Sequence, residues 1–243
     1  MLNLNKRVVL LDFDGVILKK NGAHNKVTQK CESFVNRYVK FSDRGALENF
    51  TAHLYKSSGH TLLGLRKMGY EIPVSEFNEL VYKPEFCAHV KPSAADILEM
   101  RIFCHEFKEM LRRNQSNQSN TIYITSNAPD IWCKTILSSM VDSTDFNLFQ
   151  MIGSSELDVL KPEEEFYKRI HDKIQATSYI FVDDSIVNLE PLLNPNLILG
   201  PLGAFNPMVP YHYNMHAGSC AGERITYSKF HIVNYLPDLI NII

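Results

Sequence analysis

Paired cysteines, long apolar runs and a dominant charge are all missing from this sequence, and each absence removes a class of protein. Cys31, Cys87, Cys104, Cys133 and Cys220 are odd in number and contain no C-x-x-C pair. Reduced thiols in a cytoplasmic protein are therefore expected, not a disulfide framework. No apolar run reaches the length of a membrane span, and the segment Met1 to Arg7 is too polar for a signal peptide, so no membrane partner is expected. A formal charge of -2 supplies no basic field for a nucleic-acid polymer. It leaves a nucleotide open as a small substrate. The oligomeric state has no legible signal.

What is present is ordinary globular material: 45% hydrophobic and 21% charged residues over 243 positions. That suffices for one large domain, or for a domain carrying a smaller insertion. The organising stretch is Val8 to Leu11, four apolar residues without alternation, followed by Asp12-Phe13-Asp14-Gly15. A run apolar on both faces suits a strand buried inside a parallel sheet. Such sheets bind ligands at the carboxyl ends of their strands, so two acids at that end read as a site.

From Gly22 to about Lys83 the apolar residues recur at helical spacing, as in Phe34, Tyr38 and Phe41 or Leu62, Leu65 and Met68. This is a helical insertion ending between Pro84 and Pro92. Ser93 then suits the N-cap of a helix running to Arg113, and the Gln/Ser/Asn tract 114–120 suits a loop. Further buried strands are predicted at Ile122–Ile124, within Phe146–Ile152, at Tyr179–Val182 and at Leu197–Leu199. Helices are predicted after Pro129, after Pro162 and over Ile232–Ile242. The alternation implies an α/β fold with a Rossmann-like parallel sheet and helices on both faces. One edge of that sheet then collects Asp12, Asp14, Ser126, Asn127, Lys161, Asp183 and Asp184. Carboxylates crowded together in this way repel one another unless a cation lies among them. Their hard oxygens point to Mg²⁺, not zinc. Beside such a metal, a lysine and a hydroxyl suit a phosphate group.

These residues carry a resemblance to the haloacid dehalogenase superfamily. Asp12-Phe13-Asp14-Gly15 resembles its first motif, Ser126-Asn127 its second, Lys161-Pro162 its third, and Asp183-Asp184-Ser185 with Asn188 its fourth. The resemblance implies a hydrolase in which Asp12 attacks phosphorus and Asp14 serves as general acid and base. It implies that Ser126 and Lys161 hold the transferring group, with Thr125 a rival for the hydroxyl. Mg²⁺ would be held by Asp12, by the Asp14 backbone carbonyl and by Asp184, with Asp183 direct or through water. True dehalogenases lack the second acid, so Asp14 points to phosphoryl transfer.

The resemblance also implies that the insertion is a helical cap over the site, giving a discontinuous core of residues 1–18 and 90–243 around a cap of residues 19–89. Within it, Gly59-His60-Thr61-Leu62-Leu63-Gly64-Leu65 is similar to the cap of the pyrimidine 5'-nucleotidase-like branch, and Phe77, Val81 and Tyr82 fit that branch too. His60 and Ser58 depart from its usual residues. The expected substrate is a nucleoside 5'-monophosphate, with Gly15, Asn127, His60 and Arg66 as candidate contacts. A sugar phosphate or other small metabolite is the alternative, and a catalytically silent binding protein the alternative of another class. Leu62, Leu65 and Met68 are expected in the interior of the insertion. The tail 200–227 has little periodicity. Its His212, His216 and Cys220, four apart, are taken as loop residues without a shared ligand.

Overall fold

The computed structural model describes residues 7–19, 22–113, 121–194, 197, 208–213 and 231–242. The apolar run at the start forms β1 (Arg7–Asp12), which lies inside a six-stranded sheet. Its companions are β2 (Thr121–Ser126), β3 (Phe149–Gly153), β4 (Ser178–Asp183), β5 (Met208–Tyr213) and β6 (His231–Val233). Every pairing is parallel, in the order β3-β2-β1-β4-β5-β6. The chain therefore winds outward one way from β1 and then back the other way, and the reversal falls between β1 and β4. Such a switch point opens a crevice at the carboxyl ends of the two strands.

Alternation along β1 divides the interior in two. Val9 and Leu11 pack with Met100, Phe103 and Phe107 of a long helix and with Trp132, Ile136 and Met140 of a second. Val8 and Leu10 pack on the opposite face with Phe166, Tyr167, Ile170 and Leu189. Helices thus cover both faces, as the α/β pattern predicts.

Between β1 and β2 the chain forms α1 (Gly22–Tyr38), α2 (Arg44–Ser58), α3 (Thr61–Lys67), α4 (Val74–Val81), α5 (Pro84–Ala88) and α6 (Ala94–Arg113). The last of these starts at Ser93 as expected. The Ser93 hydroxyl accepts from the Asp96 N–H, and the Ser93 N–H donates to the Asp96 carboxylate, both at 3.1 Å, a reciprocal cap. After β2 come α7 (Asp130–Met140), α8 (Ser143–Phe146), α9 (Ser154–Leu157), α10 (Glu164–Ile174) and α11 (Ile186–Leu189). Among the described residues no helix is long and apolar enough to cross a membrane. Cys31, Cys87, Cys104 and Cys133 are buried free thiols.

Four local expectations need correction. The fifth strand is Met208–Tyr213. Of the expected Leu197–Leu199, Leu197 lies in a bend and the other two fall outside the described residues. Pro210 and the polar residues around it hide β5 in the sequence, because a proline inside a strand argues against a ladder position. Ile232–Ile242 is not one helix but the short β6 followed by a 3₁₀ turn, Leu236–Asn241. Here Glu99, buried on α6, accepts from the Tyr213 hydroxyl at 2.7 Å and from the Leu236 N–H at 2.9 Å, which binds the end of the chain to the sheet's flank. Leu62 and Leu65 are buried, but Met68 is 50% exposed because it ends α3 and faces outward. The tract 114–120, His216 and Cys220 lie outside the described residues. His212 is not the loop residue expected: it is buried in β5, with Nε2 3.1 Å from the Asp184 carbonyl oxygen.

Candidate active site

Parallel register puts the acids side by side. Leu11 lies opposite Val182, so the next residue of each strand, Asp12 and Asp183, falls at the same level of the edge. Lys161 enters between them from the segment joining α9 to α10. Its Nζ donates to Asp12 Oδ1 at 2.6 Å and to Asp183 Oδ2 at 2.7 Å, and it lies 3.4 Å from the Thr125 carbonyl oxygen. Burial alone would lower the Lys161 pKa. The Asp12 and Asp183 carboxylates more than offset it and hold the ammonium above its ordinary value. Among the protein groups, burial pushes the Asp12 carboxyl well up, with Asp183 and Asp184 adding to the rise and Lys161 opposing it.

The consecutive acids Asp183 and Asp184 have different surroundings, as alternation at a strand end requires. Asp183 is fully buried and accepts from Lys161, from the Asn188 amide at 3.0 and 3.2 Å, and from the Ser185 N–H at 2.9 Å. Asp184 instead lines the cavity and lies against Gly15, where an added Cβ would come 2.3 Å from its carboxyl carbon. Gly15 also has φ +98, a left-handed value that glycine tolerates. Its role here is to let Asp184 approach, and it is not among the residues lining the cavity.

Asp12, Asp183 and Asp184 each offer an oxygen, and these atoms all lie within 4.8 Å of one another. An all-carboxylate set beside a single lysine fits a hard divalent cation such as Mg²⁺. The Asp14 carboxylate is not in this group. It receives the Trp132 indole N–H at 3.0 Å to Oδ1 and 3.2 Å to Oδ2, and His24 Nε2 stands 3.2 Å from Oδ1.

At the second motif, Thr125 is fully buried, with its hydroxyl 3.5 Å from the Leu11 carbonyl oxygen, whereas Ser126 lines the cavity and its hydroxyl accepts from the Ala128 N–H at 3.0 Å. Asn127 spends its amide on the Lys161 main chain: Nδ2 donates to the carbonyl at 2.9 Å, and Oδ1 accepts from the N–H at 2.8 Å. This pair of hydrogen bonds fixes the segment from which Lys161 projects.

The cavity over the edge has a volume of about 660 Å³. Asp12, Asp14, Ser126, Lys161 and Asp184 form its floor, while α1, α2, α3 and α4 wall it with His24, Thr51, Tyr55, His60, Phe77 and, just past α4, Tyr82. His60 Nδ1 caps α3 by accepting from the Leu62 N–H at 3.2 Å. Burial, with a smaller contribution from Arg66, drives its pKa down to about 3, so the ring is neutral. Arg66 is not brought to this cavity. Its guanidinium donates to the Ile72 carbonyl at 2.9 Å, and it borders a smaller hollow with Lys67 and Glu163. His24, Thr51, Tyr55 and Trp132 were not singled out by sequence reasoning. Trp132 alone had a signal, as the single tryptophan of the chain, three residues beyond Pro129.

Residues 6–194 match the haloacid dehalogenase-like hydrolase family, which spans all four motifs and the helices between them. The chain belongs to that family. As a haloacid dehalogenase-like hydrolase it shares its fold with solved members at low identity. One is the HAD-hydrolase YfnB from Bacillus subtilis in a magnesium-bound form, with a TM-score of 0.52, 15% identity and coverage of 98% of each chain. Another is a predicted phosphoglycolate phosphatase from Haemophilus somnus 129PT, with a TM-score of 0.53, 15% identity and coverage of 98% of this chain and 97% of the other. A dehalogenase captured with an intermediate aligns with a TM-score of 0.51 at 12% identity, over 98% of this chain and 97% of that one. No curated protein matches this hydrolase in sequence.

Proposed function

We propose that this hydrolase is a Mg²⁺-dependent phosphomonoesterase working through an aspartyl-phosphate on Asp12, with a nucleoside 5'-monophosphate as substrate. The observation that carries the reading is Asp14, a second acid that shares the cavity floor with Asp12 yet stands apart from the carboxylate cluster. An enzyme that attacks carbon and expels a halide has no use for a proton donor there, whereas expulsion of an alkoxide from phosphorus does.

Asp12 attacks the phosphorus, and the bond from phosphorus to the leaving oxygen breaks as Asp14 delivers its proton to that oxygen. Asp14, now ionised, takes a proton from the water that attacks the phosphoryl group, which frees Asp12 and releases phosphate. Lys161 neutralises charge on the equatorial oxygens, and Ser126 donates a hydrogen bond to them. Asp12, Asp184, the Asp14 carbonyl and, directly or through water, Asp183 would hold a divalent cation, which would supply the charge neutralisation an anionic nucleophile needs to approach an anionic phosphate. Asp183, enclosed by Lys161, Asn188 and Ser185, acts chiefly to orient that lysine.

The helical segment 19–89 is read as the cap, and its walls favour a nucleoside. A cavity of about 660 Å³ is far larger than a phosphate, and Tyr55, His60, Phe77 and Tyr82 offer it rings. Flat bases stack on such surfaces. Thr51 adds a buried hydroxyl without a hydrogen-bond partner among the described residues, which suits a ribose hydroxyl. The test is phosphate release from a panel of nucleotides and sugar phosphates, with Mg²⁺ and with chelator, for the native chain and for Asp12→Asn. Release from nucleotides that needs the metal and vanishes in the variant is expected. Activity surviving either change rejects the mechanism, preference for sugar phosphates rejects the substrate, and inactivity on every ester favours a binding protein.

A further inference from the structure

We infer that His24 and Trp132 are positioning residues for Asp14, holding its carboxyl so that one oxygen faces the leaving group. The inference rests on the phosphomonoesterase reading. Asp14 lies on a turn, its side chain is 28% exposed, and neither Lys161 nor the carboxylate cluster holds it. A carboxyl so placed would sample several rotamers. Two donors restrict it. Trp132 is completely buried, its ring stacked on Phe86 at 5.7 Å and set edge-on to Tyr82 at 5.3 Å, so the indole N–H has a fixed direction. Indole nitrogen only donates, which leaves the carboxyl oxygens as acceptors toward it. The shorter indole contact and the His24 contact both fall on Oδ1. Among the described residues Oδ2 carries only the longer indole contact, and it is the oxygen from which a proton can pass to the leaving group.

The two donors come from different parts of the fold. Trp132 belongs to α7, which starts just past the second motif, and His24 to α1, the first helix of the insertion. The carboxyl is therefore in its working orientation when α1 stands over the sheet edge, and the wall that selects the substrate also sets the acid.

The readout is leaving-group dependence. The ratio kcat/KM reports all steps through expulsion of the leaving group. An alkyl ester needs a proton at that stage, whereas p-nitrophenyl phosphate, with a stabilised phenolate, scarcely does. Trp132→Phe keeps the stack but loses the N–H, His24→Leu loses the second donor, and His24→Gln restores one. For Trp132→Phe and His24→Leu, kcat/KM on a nucleoside monophosphate is expected to fall about 10- to 100-fold, within the range for general-acid catalysis. On p-nitrophenyl phosphate it should stay within about threefold, and His24→Gln should recover most of the alkyl activity. Equal losses on both esters would mean a merely structural role and overturn the inference, as would no loss on either. Failure of the underlying reading is separately visible: the native chain would then hydrolyse neither ester, or Asp12→Asn would hydrolyse both.

Discussion

On the sheet side of the cavity the ionised groups are locked to one another, with Lys161 between Asp12 and Asp183 and Asn188 bonded to Asp183. On the helical side Tyr55, Phe77, Tyr82 and a neutral His60 present rings with few fixed polar bonds, and Tyr55 is 51% exposed. The first wall is costly to alter, since removing one charge strands its partners in a buried place. The second tolerates change, since ring contacts degrade gradually with shape. The two walls of the cavity thus differ in their sensitivity to mutation.

That contrast can be broken most severely at Lys161. Lys161→Met keeps similar bulk but leaves Asp12 and Asp183 without their cation. A loss of about a thousandfold in kcat is expected, as for removal of a preorganised donor, together with about 3–5 kcal/mol in urea unfolding. A thousandfold loss at unchanged stability would show that the network is not structural. Tyr55→Ala sharpens the other side. It should raise KM for a nucleoside monophosphate about tenfold, the worth of one stacked ring, with kcat on p-nitrophenyl phosphate unchanged. Equal KM values in variant and native chain would remove Tyr55 from the substrate wall.

The smallest effect is one of pH. His60 is neutral when folded, with a pKa near 3, and takes up a proton on unfolding near 6.5. Its contribution is therefore complete above about pH 6.5 and falls by about 1.4 kcal/mol per unit as pH drops toward 3. His171 and His212 are also lowered, mainly by burial, and act in the same direction. His60→Asn should flatten the acid limb of a stability-against-pH curve by one proton's worth while leaving neutral stability little changed. An unaltered slope would show that the ring is not buried neutral.

The core of the fold was legible because its signals are short-range. Val8 to Leu11 and Tyr179 to Val182 are uninterrupted apolar runs ending in acids, and topology alone then brings Asp12 and Asp183 together. Ser93 announced its helix because a cap acts within three residues. Four features were not legible. β5 is stabilised by pairing on both sides in spite of Pro210, which is a tertiary effect. Asn127 faces the Lys161 main chain because of loop geometry, not because of any property of the Ser-Asn pair. His24 and Trp132 meet at Asp14 from positions 108 residues apart in the sequence, and no periodicity relates an insertion helix to a core helix. Arg66, a candidate contact because its segment resembles a nucleotidase cap, instead donates to the Ile72 carbonyl in the loop after α3.

The turn after β1 closes on itself: the Phe13 carbonyl accepts from the N–H groups of Ile17 and Leu18 at 3.0 and 2.9 Å, and the Gly15 N–H donates to the Leu18 carbonyl at 2.7 Å. Main-chain bonds are indifferent to side-chain identity beyond the turn. The main chain from Phe13 to Leu18 is thus tied within the turn itself. The helices that follow can therefore differ in sequence without altering the bonds that hold this turn, while α1 still reaches Asp14 through His24.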